Sequence, residues 1–112
     1  MSNLRVYRSK EYKDWHNSLD EKDQGIVDSR IDTYIEYGKL IRSKSLDPNF
    51  GLYEFKWDSG LRIYFSFLED NDGRLMLLLL GGNKNSQSKD ITRAKKIVSR
   101  AVNKIAEKKE KK

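Results

Sequence analysis

Lys56, Arg62 and Lys84 are the residues of this chain whose types and spacing point to chemistry. All three fall at strand positions or at a strand end of the antiparallel-looking segment Leu52 to Gly82, and no metal-binding cluster and no Ser or Cys paired with His accompanies them. Cations without a protein nucleophile suit a polyanion that brings its own, with the positive side chains taking up the charge that builds on phosphorus. RNA, whose hydroxyl can attack the neighbouring phosphate, is such a substrate.

Strand alternation places residues two apart on one face. Leu61, Ile63, Phe65 and Phe67 then form a core side, and Arg62, Tyr64 and Ser66 face the other way. On the preceding strand Tyr53, Phe55 and Trp57 alternate with Leu52, Glu54 and Lys56, which brings a carboxylate and an amine to the polar row. Two readings stand side by side: a compact functional patch, or an exposed sheet face laced with cross-strand ion pairs. Gly81-Gly82-Asn83-Lys84 runs into a helix and suggests close backbone approach to an anion, with simple strand termination as the alternative. It is not a nucleotide P-loop, which needs Gly, four residues and then Gly-Lys-Ser/Thr. His16, the only histidine, reads as a surface or boundary residue, Asp70 and Asp72 as turn formers rather than metal ligands, and Trp15 and Trp57 as packing residues.

The elements that must position these side chains follow from periodicity and punctuation. Leu4 to Arg8 predicts a strand with Leu4 and Val6 inward, and Ser9 caps a short helix running to about His16 with Tyr12, Trp15 and Leu19 on one side. Ser18-Leu19-Asp20-Glu21 has the form of a capping box for a second helix, whose inner stripe is Ile26, Val27, Ile31, Tyr34 and Ile35 and whose end is Gly38. Arg42 to Gly51, with the only proline at Pro48, predicts a loop or brief edge strand. Leu52 to Trp57 and Leu61 to Leu68 form a hairpin around Asp58-Ser59-Gly60, and after the turn Asp70 to Gly73 the apolar run Arg74 to Leu80 predicts a central strand buried on both faces. A last helix carries Ile91, Ala94, Val98, Ala101 and Ile105, a stripe expected to pack on the sheet rather than to form a coiled-coil seam. The order β-α-α-β-β-β-α predicts an α+β domain with a small, mainly antiparallel sheet, two N-terminal helices and one C-terminal helix.

Composition bounds the rest. At 112 residues one domain is expected, with function on one face or groove. The net charge of +6 divides evenly, since from Lys104 onward five lysines stand against two glutamates. The acidic residues of the body gather between Glu11 and Glu36, so the half from Leu52 onward is basic, and a nucleic-acid or acidic-protein partner is expected. There are no cysteines, which removes disulfide and thiolate chemistry and the commonest soft zinc ligand. The start lacks an apolar leader pattern and the longest apolar run, Leu75 to Leu80, is too short to span a bilayer, so the expected location is the cytoplasm and no membrane association is expected.

Leu61-Arg62-Ile63-Tyr64-Phe65, the run Leu77 to Lys84, Ser86-Gln87, Asp90-Ile91 and Arg5-Val6-Tyr7 together resemble the RelE/ParE superfamily of toxins, nearest to its phage-derived addiction module killer group beside the HigB-like toxins. The similarity runs from about Leu4 to Ala101, and Gly-Gly-x-Lys-x-x-Gln is its most specific part. It implies a toxin domain over residues 1–103 followed by a basic helix end or tail over 104–112. It implies a type II toxin whose cognate antitoxin, of helix-turn-helix type, covers the basic face with an acidic segment. It also implies a ribosome-dependent mRNA endonuclease that needs no metal or other cofactor.

In that mechanism Arg62 binds phosphate and carries transition-state charge, and Lys84 stabilises or protonates the leaving group. Lys56, crowded by Arg62 and Lys84, is the candidate base, with Glu54 as the carboxylate alternative. Tyr64, Asn83 and Gln87 are the implied RNA contacts. The chain departs from the pattern in lacking a tyrosine after Tyr64 and a histidine after His16, which implies weak activity unless the ribosome positions the message. A ParE-like toxin acting on gyrase, or a degenerate toxin that binds only its antitoxin, is the alternative.

Overall fold

A computed structural model describes residues 4–40 and 42–110; Lys111 and Lys112 of the basic end, and the first three residues, lie outside the described range. The chain runs β1 (Arg5–Arg8), α1 (Lys10–Ser18), α2 (Glu21–Tyr37), β2 (Ser43–Asp47), a 3-10 turn (Pro48–Phe50), β3 (Leu52–Lys56), β4 (Leu61–Asp70), β5 (Gly73–Asn83) and α3 (Gln87–Glu110). The five strands lie in the order β1-β5-β4-β3-β2, with β1 parallel to β5 and every other pair antiparallel. The predicted α+β class holds, with one strand more than the predicted order: the polar stretch after α2 pairs with β3 as an edge strand. Among the described residues no helix is long and apolar enough to cross a membrane.

Local chemistry explains the helix ends. The Ser9 hydroxyl accepts the Tyr12 N–H at 2.9 Å, capping α1, and donates to the Leu79 carbonyl at 2.6 Å, which ties the helix start to the central strand. The capping box expected at Ser18 is displaced by two residues. Asp20 is the cap of α2, its Oδ1 accepting the Asp23 N–H at 2.8 Å, while the Ser18 hydroxyl turns back to the Trp15 carbonyl. A carboxylate at that place gains from the helix dipole as well as from the hydrogen bond, which a serine does not. Gly38 ends α2 in the left-handed region at φ 71°, with its N–H on the Tyr34 carbonyl.

Strand alternation sorts the side chains into two cores. On the face covered by α1 and α2, Phe55, Ile63, Phe65, Met76 and Leu78 pack with Tyr12, Val27, Ile31 and Tyr34. Ile26, expected in that stripe, is 38 % exposed instead, because it lies one position off the arc defined by Val27, Ile31 and Tyr34. On the other face Leu52, Tyr64, Leu75, Leu77, Leu79 and Leu80 meet Ala94, Ile97 and Val98 of α3, so the α3 stripe packs on its own sheet as expected. Each large side chain fully removed from water contributes about 1.5–3 kcal/mol before entropy is counted.

A β-bulge sets the geometry of the site end. Tyr64 pairs with Leu80 and Phe65 with Leu78, leaving Leu79 as an extra residue on β5. Leu79 and Leu80 both join the α3-side core, and the alternation shifts by one beyond them. Gly81 thereby faces α1 and Gly82 faces α3, as their neighbours show: Trp15 for the first and Asp90 for the second.

Candidate functional site

The end of the sheet where β3 stops, β4 starts and β5 stops gathers the three cations. Lys56 is the direct cross-strand partner of Arg62, and Arg62 is the partner of Gly82 on its other side. The connecting turn closes through Gly60 at φ 104°, whose carbonyl accepts the Lys84 N–H at 2.9 Å. The Lys84 stem passes over Gly60, 3.8 Å from where a side chain would begin. Lys56 and Lys84 are exposed, whereas the Arg62 side chain is only 15 % exposed.

Arg62 is held on most of its sides. Its Nη1 donates to the carbonyls of Leu61 at 2.9 Å and Trp57 at 3.2 Å, and its Nε lies 3.0 Å from Glu54 Oε1 with the N–H not aimed along the contact. Its Nη2 takes no hydrogen bond among the described residues. Glu54 is 2 % exposed and receives the Gln87 amide at 3.1 Å and 3.3 Å on its two oxygens. A buried carboxylate beside an arginine is costly to desolvate, and it is tolerated where further donors satisfy it, as Gln87 does here. The chemical product is a guanidinium held through Nε and Nη1, with Nη2 left for a ligand, at the strand end that also carries the exposed Lys56 and Lys84. A cation pre-oriented in this way loses little reorganisation energy on meeting an anion.

Behind Arg62 the polar row is closed to solvent, so the exposed sheet face does not hold there, and its cross-strand ion pair, Arg62 with Glu54, is enclosed. The first turns of α3 lie over it: Glu54 is the cross-strand partner of Tyr64, and Asp90, 6 % exposed, accepts the Ser86 hydroxyl. The Tyr64 hydroxyl is buried without a partner, and burial pushes its phenol upward, with the Glu54 and Asp90 carboxylates adding to the shift and Arg62 opposing it. Glu54 as a base and Tyr64 as an RNA contact are therefore corrected: enclosed groups meet no substrate hydroxyl. Gln87, expected to touch RNA, directs its amide at Glu54 and braces it. Asn83 is exposed, but its Oδ1 accepts the N–H groups of Asn85 at 2.8 Å and Ser86 at 3.2 Å and so shapes the turn into α3.

The paired glycines also change meaning. A side chain at Gly81 would begin 2.1 Å from the Trp15 ring, and one at Gly82 would begin 2.0 Å from Asp90 Oδ2. The close approach is made by the protein's own residues on both faces, not by an anion. Asp90, quoted above only as part of the resemblance and given no role there, is the member of this cluster that the sequence reading left out of the site, and the signal for it is its place in the first turn of α3. His16 sits at a boundary, as expected, its Nε2 2.9 Å from Asp28 Oδ1 between α1 and α2. Asp70 is engaged by Arg5 through Nη1 at 2.9 Å and a second bond from Nη2, and its Oδ1 also accepts the Asp72 N–H that closes the turn.

No family model matches the chain. A protein of Haemophilus influenzae described only as uncharacterized is 38 % identical over 61 residues, covering 54 % of this chain, and the chain spans 59 % of that relative's length. Among solved structures, the RelBE2 toxin–antitoxin complex of Mycobacterium tuberculosis contains a chain that aligns with a TM-score of 0.53 at 12 % identity, over 70 % of this chain and 95 % of that one. At that identity the likeness concerns the fold: the chain has the fold of RelE-like toxins.

Proposed function

We propose that the chain is the toxin of a type II toxin–antitoxin pair, of HigB-like kind, and that it cleaves messenger RNA on the ribosome without a metal, in the cytoplasm. The observation that supports this most is the open guanidinium edge of Arg62, braced by Glu54 and backbone carbonyls and flanked by Lys56 and Lys84. Arg62 binds the scissile phosphate and neutralises the phosphorane. Lys56, opposite Arg62, takes the proton of the 2′-hydroxyl as its oxygen bonds to phosphorus. Lys84 gives a proton to the departing 5′-oxygen, leaving a cyclic phosphate and a free 5′-hydroxyl. The ribosome supplies the alignment that two exposed lysines do not. The partner in the resting state is a helix-turn-helix antitoxin whose acidic segment covers this end of the sheet.

One observation favours a second reading. With Glu54 and Tyr64 enclosed, Lys56 is the single base candidate left from the predicted set, which also suits a toxin that only binds, whether to gyrase or to its antitoxin. Primer extension on a reporter message after brief induction separates the two. Breaks within translated codons that vanish in Arg62→Lys, with that variant still copurifying with the antitoxin, support the nuclease. Intact transcripts together with gyrase-dependent DNA breaks reject it.

A further inference from the structure

A second cationic feature lies on the opposite side of the β3–β4 turn. Arg30 of α2 lies over the Trp57 ring, 4.1 Å from its centroid, and its Nη1 donates to the Lys56 carbonyl at 2.7 Å. The next carbonyl, that of Trp57, accepts from Arg62. Two guanidiniums are thus anchored on consecutive carbonyls of one strand end. Around the Arg30–Trp57 stack is an open cavity of about 200 Å³ lined also by Ile26, Ser29, Thr33 and Lys39. Ile26 is the apolar residue exposed there, among the described residues no carboxylate lines the cavity, and Asp58, whose charge acts on Arg30, is paired with Arg42.

We infer that this cavity receives an RNA base, stacked on the Arg30–Trp57 pair, from a nucleotide next to the one whose phosphate meets Arg62. The inference rests on the proposed role of Arg62 in phosphate binding and extends it. Single-stranded RNA displays unstacked bases that aromatic rings and arginine planes accept, and stacking tolerates any base because each has a π-face. The cavity has the matching chemistry: an aromatic floor, a guanidinium fixed by a backbone carbonyl, an exposed isoleucine, two hydroxyl-bearing residues and Lys39 at the rim for the adjoining phosphate. An acidic peptide would find cations there as well, but the Arg30–Trp57 stack and Ile26 give it no use for a flat apolar partner.

The test is binding of a 2′-O-methyl hexaribonucleotide, which cannot be cleaved, against the same strand with its bases removed, read by anisotropy and by tryptophan emission. Trp15 is seated on Gly81, so quenching on base contact reports on Trp57. The expected result is that the base-bearing strand binds about tenfold tighter than the abasic one and quenches emission. Trp57→Phe keeps the preference, Trp57→Leu loses it, and Arg62→Lys weakens both strands alike. Binding that depends on Arg62 but is equal for the two strands, without quenching, overturns the base site and leaves the phosphate site standing. Binding of neither strand, or binding indifferent to Arg62, overturns both. The abasic comparison needs no change to the protein, so a poorly folding variant cannot obscure the outcome.

Discussion

The two faces of one sheet, built from alternate residues of the same strands, differ in what they bury. Toward α1 and α2, β3 and β4 present Phe55, Ile63 and Phe65, an aromatic and aliphatic core in which Phe55 and Phe65 lie 4.5 Å apart between ring centroids. Toward α3 the same strands present Glu54, Arg62, Tyr64 and Ser66, and all of them except Arg62 are essentially removed from water. On the first face the strands contribute only apolar groups, and the buried hydroxyl without a partner there, that of Tyr12, comes from α1. The second buries charge and a phenol, and in exchange holds one guanidinium in a fixed orientation at the end of the sheet. Stability and site are divided by the two-residue period of the strands.

The contrast predicts a graded set of mutational costs. Phe65→Ala, on the apolar face, is expected to lose about 4 kcal/mol in urea unfolding, the cost of a large core cavity. Arg62→Ala comes next, at about 3 kcal/mol, because Glu54 is left charged and buried without its partner. The Glu54→Gln/Arg62→Ala pair should recover much of that stability without recovering toxicity, and recovered toxicity would remove Arg62 from the mechanism. A Gly82→Ala variant is expected to lose about 2 kcal/mol through its clash with Asp90. In an Asp90→Ala background that loss should shrink by more than half, and an unchanged loss would show that Asp90 is not what fills the glycine.

The two smallest effects differ in sign. Tyr64→Phe removes a buried hydroxyl that has no partner, so thermal unfolding should show a gain of about 1 kcal/mol. A loss there would mean that the phenol is satisfied and the polar face better balanced than its geometry indicates. At the far end of the β4–β5 hairpin, Arg5 holds the Asp70 carboxyl down to about 2 from its ordinary 3.8. A depressed carboxylate stabilises the fold above its unfolded value, so the contribution is complete above about pH 5 and drains away between about pH 5 and pH 1. Asp70→Asn should therefore be slightly less stable than the parent at neutral pH and lose that difference as the pH falls through about 2, as acid titrations of the two would show.

The helices, four of the five strands, the facing of β3 and β4 and the class of the fold were legible in the sequence, because these rest on local periods and on capping groups within a few residues, whereas the polar edge strand Ser43–Asp47 reads equally as a loop. Ser9, Gly38 and the Asp58-Ser59-Gly60 turn do what their neighbours dictate, and Arg62, Lys56 and Lys84 meet at one end because hairpin register brings them there. The parallel pairing of β1 with β5 and the bulge at Leu79 depend on residues some seventy positions apart and on how one strand accommodates two helices, which no local pattern encodes. Only the tertiary structure decided that α3 closes over the polar row. That docking turned Glu54 and Tyr64 from candidate reagents into supports, gave Gln87 and Asp90 their partners, and filled the paired glycines from within, since burial is a property of what packs above a residue and not of its place in the strand.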